Sequence, residues 1–176
     1  MTTIWNADNM HSEIGFKVKH MMITNVSGNF DRFTASAETN GDEFTNGKFD
    51  FSAEIDSINT GVSDRDGHLK SDEFFSAQSF PVLTFNSTEV SKKADDQYSI
   101  IGDLTIRDVT KKIELQADFG GIAVDPYGQT KAGFSISGKI KRSDFGLTWS
   151  AVTEAGHIVL SDEVKLSAEI QFIKKH

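Results

Sequence analysis

The sequence predicts an all-β fold: about eight antiparallel strands closing into a barrel, with a short helical insertion. Three observations predict it. Apolar and polar residues alternate with a period of two along most of the chain, as half-buried antiparallel strands do. The alternating runs are separated by turn chemistry. Residues 62–80 break the alternation and carry helix-capping residue types. A closed barrel explains why every run has one apolar and one polar face, because closure removes the edges and leaves a single interior. A two-sheet sandwich produces the same pattern, and the period alone leaves it open.

In chain order, HSEIGFKVKH places Ile14, Phe16, Val18 and His20 on one face and Glu13, Lys17 and Lys19 on the other. A strand is expected over 29–38. Asn40-Gly41 and Asn46-Gly47 then bracket a connection, since both dipeptides favour left-handed turn positions. GKFDFSAEIDSI sets Phe49, Phe51, Ala53 and Ile55 against Lys48, Asp50, Ser52 and Glu54. In 62–80, Ser63 is placed to cap a first helical turn with Asp64 and Asp66 near its positive end, and Ser71 to cap a second with Asp72 and Glu73. Gly67 weakens that helix. Leu69, Phe74, Phe75 and Phe80 then face the barrel as a lid.

A strand over 82–90 follows, then a polar turn from Lys92 to Asp96. YSIIGDLTIR puts Ile100, Gly102, Leu104 and Ile106 in phase, and KKIELQADF does the same for Ile113, Leu115, Ala117 and Phe119. Asp125-Pro126-Tyr127-Gly128 has type I turn chemistry. Phe134, Ile136 and Ile140 mark the next strand, and Val164, Leu166, Ala168, Ile170 and Phe172 mark the last. In RSDFGLTW, Phe145, Leu147 and Trp149 alternate as if continuing a strand, with Arg142 and Asp144 paired at its rim.

The chain of 176 residues is read as one domain, 1–176. It has no cysteine, so thiolate metal sites and disulfides are excluded. The N-terminal residues lack a basic and then apolar leader, so a cytoplasmic protein is expected unless an export signal preceded them. No run approaches the length of a membrane-spanning helix. The net charge of −8 argues against nucleic acid and against anionic membrane surfaces as partners. Fourteen Phe stand against two Tyr and two Trp, which suits a dry interior better than a polar active site.

Candidate chemistry is sparse. Asp64, Asp66 and His68 have loose spacing for a metal, and capping explains them without one. His20 lies in phase with Val18 and points inward, as a hydrogen-bonded core histidine would. Glu154, His157, Asp162 and Glu163 read as a solvated turn. There is no GxSxG, no Walker A and no dinucleotide fingerprint.

Taken in order, HSEIGFKVKHMMITNVSGNF, RDGHLKSDEFF, FPVLTFNST, GDLTIRDVTK and RSDFG resemble the YceI-like polyisoprenoid-binding family, over about residues 3–174. The resemblance implies an eight-stranded, lipocalin-like antiparallel barrel with a helical insertion. It also implies a long apolar pore holding a polyisoprenoid or another fatty-chain lipid. Members are often exported, and some are linked to quinone or respiratory contexts. Asp108 stands where Gly is common after the LTI segment; Asp tolerates a left-handed turn position. The lipocalin GxW signature is absent, so the likeness to lipocalins is one of architecture.

Strand phase and family motif together nominate ligand contacts at Phe16, Val18, Phe49, Phe51, Phe85, Leu104, Ile106, Phe134, Ile136 and Phe145. Leu69, Phe74 and Phe75 close one end. Arg65, His68 and His20 are the polar groups expected to meet a head group. The expected function is binding and sequestering or carrying a long-chain lipid, with no cofactor and no metal. Two alternatives stay open: an enzyme acting on a lipid or small molecule through His20, His68 and Asp66, and a ligand-free stress or interaction protein. A homodimer through an outer patch containing Ile58 and Ile101 is a further expectation.

Overall fold

The structure is a computed structural model that describes residues 1–21, 23–148 and 160–176. Its strands are β1 (Thr2–Ala7), β2 (Glu13–His20), β3 (Thr24–Phe30), β4 (Phe33–Asn40), β5 (Glu43–Glu54), β6 (Ile58–Asn59), β7 (Val82–Ala94), β8 (Gln97–Ile106), β9 (Val109–Val124), β10 (Thr130–Lys141) and β11 (Leu160–Lys174). One helix, α1 (Ser63–Lys70), lies between β6 and β7. All pairings are antiparallel. The order β1-β4-β5-β7-β8-β9-β10-β11 returns to β1, so the sheet closes into an eight-stranded barrel. No helix among the described residues is long and apolar enough to cross a membrane.

Eleven strands occupy eight positions because three of the long strands are broken. β11 pairs with β1 through Phe172–Lys174 and with β2 through Leu160–Glu169, so β1 and β2 lie end to end. β3 and β4 are likewise one strand broken at Asp31-Arg32, and β5 and β6 are one broken at a tight turn, Ile55–Ser57. Each break flips the parity of the inward residues. Phe30 and Phe33 are both buried, as are Ile55 and Ile58. Trp5 faces in from β1, whereas Ile14 and Phe16 face the interior from β2. The breaks are bonded to one another. Ser57 Oγ donates to Glu54 O (2.7 Å) and Arg32 O (3.2 Å), and Asp31 N–H donates to Ser57 O (3.0 Å). Ser57 is thereby buried with its hydroxyl satisfied.

Several local expectations are corrected. The expected strand over 29–38 is interrupted at Asp31-Arg32. The β4–β5 hairpin turns at Gly41-Asp42, whereas Asn46-Gly47 lies inside β5. There Asn46 takes φ 61° and the register shifts between Glu38 and Asn40. This bulge swings Phe44 fully into the interior. The β7–β8 turn is tighter than expected, at Asp95-Asp96. In the β8–β9 turn it is Arg107, at φ 57°, and not Asp108, that takes the left-handed position. Ser63 begins α1 without capping it: the cap position is Val62, with no side-chain bond. Asp66 instead accepts from Thr60 N–H (2.9 Å) and Thr60 Oγ1 (2.5 Å). Ser71 ends α1, its Oγ donating to His68 O (2.5 Å), and residues 72–75 are turns, not a second helix.

The run after β10 is not a strand. Arg142–Phe145 form a 3-10 turn stopped by Gly146 at φ +77°, and this turn buries Phe145 and Leu147. Asp162 and Glu163 belong to β11; Trp149, Glu154 and His157 lie outside the described residues. Ile58 is core, only 3 % exposed, so it forms no outer patch with Ile101.

The barrel's two ends differ. The end with the β4–β5, β7–β8 and β9–β10 turns is filled by rings. Phe44 packs on Trp5, Phe119 and Phe134 with centroids at 5.3, 5.5 and 4.9 Å. Phe49 packs edge-on to Phe134 and Phe172 at 5.6 and 5.9 Å. Trp5 Nε1 donates to Thr39 Oγ1 (2.9 Å), so the plug leaves no orphaned indole.

Two measurements check this frame. A Cβ on Gly102 would lie 2.5 Å from Asn86 O and 2.7 Å from Phe85 Cζ and Ser87 Cα. Gly102→Ala therefore forces β7 and β8 apart and lowers unfolding stability by about 1–3 kcal/mol, read as a reduced denaturant midpoint. At the plugged end, Asp8 accepts from His11 Nδ1 (2.7 Å), Lys131 Nζ (3.0 Å) and Met10 N–H (3.1 Å). These bonds, the His11 ring first, hold its carboxyl below the ordinary value. Such a group contributes its stability above the unfolded pKa of about 4 and loses it as pH falls through the folded value. Asp8→Asn lowers the melting temperature at neutral pH, and the difference from wild type closes in strong acid.

Candidate functional site

Above the aromatic plug the barrel is hollow. The wall positions there carry mainly aliphatic side chains, and the breaks at residues 31–32 and 55–57 carry β3 and β6 away from β7. β6 is two residues long, and among the described strands it pairs only with β3. The space between β6 and β7 is taken by α1 and the turns after it.

The cavity is lined from β2 by Ile14, Phe16 and Val18, from β5 by Phe51 and Ala53, and from β7 and β8 by Leu83, Phe85 and Leu104. β9 and β10 add Ile113, Leu115, Ile136 and Ile140; β11 adds Leu160, Val164, Leu166 and Ala168. Its volume is ≈ 160 Å³, close to that of engineered dry cavities of about 150 Å³ that admit benzene. Phe51, 6.5 Å from Phe49 and 5.8 Å from Phe85, makes the floor against the plug. The lid is Leu69, Phe74 and Phe75, with Phe75 edge-on to Phe30 at 6.3 Å and Phe30 in turn on Phe16 at 5.8 Å. Phe16 lies flat because residue 28 is glycine: a Cβ there would meet its ring at 2.5 Å.

Among the described lining residues, Arg142 is the one with a charged side chain. It does not serve as the outer half of a rim pair with Asp144. Its guanidinium is buried and donates to the backbone carbonyls of Leu147 (2.7 Å), Ser161 (3.0 Å) and Leu160 (3.3 Å). Burial pushes its pKa down, and nearby Asp162 works the other way. Asp162 accepts from Ser143 N–H (2.9 Å) and Oγ (2.7 Å), bonds that hold its own carboxyl low. Arg142 thus ties the turn after β10 to the start of β11.

Of the residues nominated from sequence, Phe16, Val18, Phe51, Phe85, Leu104 and Ile136 come together around the cavity, with Leu69, Phe74 and Phe75 above them. Phe49 and Phe134 belong to the plug, and Ile106 and Phe145 are buried away from the lining. The expected head-group trio is not gathered at the cavity. Arg65 donates to Thr60 Oγ1 and Thr60 O (both 2.8 Å). His68 pairs with Glu73 and sits edge-on to Phe74 at 5.1 Å. His20 lies at the rim, opposite Thr24 and Leu160. Asp66 is occupied with Thr60, so His20, His68 and Asp66 do not form one constellation. No group of three or more His, Cys, Asp or Glu among the described residues is arranged to hold a metal ion. Ile14, Ile140, Val164 and Leu166 were legible as inward but not as cavity lining, and Arg142 was misread as a rim charge.

Comparison with known proteins agrees with this geometry. The sequence profile of the YceI-like domain matches residues 5–172. A UPF0312 protein of Staphylococcus epidermidis is 33% identical over 171 residues, 97% of each chain. A solved YCEI protein of Campylobacter jejuni is 38% identical and superposes with a TM-score of 0.77 over 96% of each chain. A solved polyisoprenoid-binding domain from Saccharophagus degradans superposes with a TM-score of 0.70, covering 97% of this chain and 98% of that one; at 17% identity this is a likeness of fold.

Added volume separates the two halves. Ala37, 1 % exposed, is paired with Trp5 and Phe49 in the plug. Ala37→Leu has no space to fill and costs about 1–3 kcal/mol or more. Val18→Phe projects into the cavity and leaves the ligand-free melting temperature unchanged or raised.

Proposed function

The chain belongs to the YceI-like family, and on that premise we propose that it binds a long-chain isoprenoid or another amphiphilic lipid and sequesters or carries it, as a binding protein and not an enzyme. The observation that carries this reading is the blind, apolar cavity: hydrocarbon over almost all of its wall, rings at the floor, and a short lid over the mouth. The fold shared with a polyisoprenoid-binding domain of another organism supports it.

Burying ~10 methylenes contributes about 8 kcal/mol gross. Chain ordering and lost translation offset several of these, leaving roughly micromolar binding or better. Methylene contacts discriminate weakly, so selectivity for chain identity is low. The cavity at ≈ 160 Å³ seats a ring-sized piece. A longer chain fits when Phe74 and Phe75 withdraw, or when its remainder trails through the mouth. α1 suits such movement: it buries none of its residues, has no side-chain cap at its N-terminus and carries Gly67 in its interior.

Organic extraction of the purified protein followed by mass spectrometry tests the proposal: a long-chain lipid is expected in the extract, and a lipid-free protein that also takes up no fluorescent lipid would sink it. Phe74→Ala with Phe75→Ala accelerates release of that probe more than it lowers stability. Unchanged release with severe destabilisation would make both residues ordinary core.

A further inference from the structure

The lipid cargo of the proposed function is insoluble, so the cavity must be filled from a surface that holds lipid. On the outside of the barrel, the β2–β3 hairpin carries a feature fitted to such a surface. Its tip exposes Ile23 (78 %) and Met21 (41 %) to solvent. Both sit a few residues beyond Val18, which lines the cavity, so the apolar tip stands at the mouth.

Behind the tip, on the outer wall, Lys17 is paired directly across from Lys165, and Lys165 directly across from Lys139. Like charges directly opposite on adjacent strands repel, so the row opposes folding of the sheet that displays it. The three lysines border one shallow groove with Ser137 and Ser167. Lys19 and Lys141 continue the row towards the rim. Among the described residues the acids beside it are Glu114, in the groove, Glu163, 3.7 Å from Lys139 and directly across from Lys141, and Asp162, whose carboxyl is lowered in part by Lys141. The net charge of −8 conceals this arrangement because the acids are spread over both ends: Asp42, Asp95, Asp96 and Asp125 are in turns of the plugged end, and Asp56, Asp64, Asp72 and Glu73 lie in and beside the segment that covers the mouth, away from the lysine row on β2, β11 and β10. Charges a barrel length away are screened, the Debye length being about 8 Å at physiological ionic strength.

We propose that the mouth end docks on an anionic phospholipid bilayer, with Ile23 and Met21 entering the interface and the Lys17–Lys165–Lys139 wall facing the head groups. The arrangement is that of interfacial anchors, apolar side chains flanked by cations. It sets the covered mouth of the cavity against the membrane, on the side that carries the lysine row. The proposal rests on the lipid-binding reading and names the source of the lipid.

Co-sedimentation of the full chain with vesicles tests it. The protein is expected to pellet with vesicles of phosphatidylcholine and phosphatidylglycerol in equal parts, and to remain in solution with phosphatidylcholine alone. Lys17→Gln combined with Lys139→Gln and Lys165→Gln lowers partitioning roughly a hundredfold. Ile23→Asp lowers it with every lysine intact. Both variants keep the melting temperature and the uptake of a fluorescent lipid from solution. Equal partitioning onto the two vesicle types, or a triple variant that pellets like wild type, overturns the proposal. Lipid uptake without vesicle binding also overturns it while sparing the cavity reading, and points to a protein as the lipid donor. Vesicle binding without lipid uptake leaves the docking surface standing and removes the cavity reading.

Discussion

The packing of Phe44 against Trp5, Phe119 and Phe134 decides how the interior of the barrel is divided. An eight-stranded barrel is just wide enough for side chains to fill it. Rings concentrated at one end fill it there completely. The other half carries mainly aliphatic side chains, with its phenylalanines set around the edge as floor and cover, on walls that the strand breaks push apart. The cavity follows from rings that meet across the barrel at one end and line its periphery at the other. Phe44 reaches its place only because a bulge at Asn46 takes β5 out of register with β4.

The breaks at residues 31–32 and 55–57 are the complementary constraint. They reset the alternation so that the strand segments on both sides stay apolar inward, and they steer β6 away from β7. The polar residues of 62–76 are then consumed in covering the gap. Asp66 and Arg65 stitch α1 to Thr60, His68 turns to Glu73, and Ser71 and Asp72 close the following turns. The charge-rich run is spent largely on bonds that hold this covering segment together.

The faces of the strands were legible because period two is a local property: Phe16, Val18, Leu104 and Ile136 point inward as their alternation says. Height along the barrel axis was not legible. Alternation reports which side a residue faces and nothing about which half it occupies, so Phe49 and Phe134 of the plug looked the same as Phe51 and Ile136 of the cavity. The breaks left a trace, the change from even to odd inward positions between Phe30 and Phe33 and from odd to even between Ile55 and Ile58. Reading that change would have divided the strand expected over 29–38 and buried Ile58. Arg142 was beyond reach, because the Leu160 and Ser161 carbonyls that it ties to the turn come to it only through the tertiary fold.

Closure of the barrel joins β1 to β11, with Trp5 opposite Lys174 and Ser12 Oγ accepting from Gln171 N–H (3.0 Å). During synthesis on the ribosome, β1 emerges long before its partner. The meander from β7 to β10 can form hairpin by hairpin, but the seam waits for β11. A topology with contacts so distant in sequence folds slowly and leaves strand edges exposed meanwhile. The apolar wall of the nascent chain is therefore open to other chains until the final strand docks, and that interval is when a chaperone has something to hold.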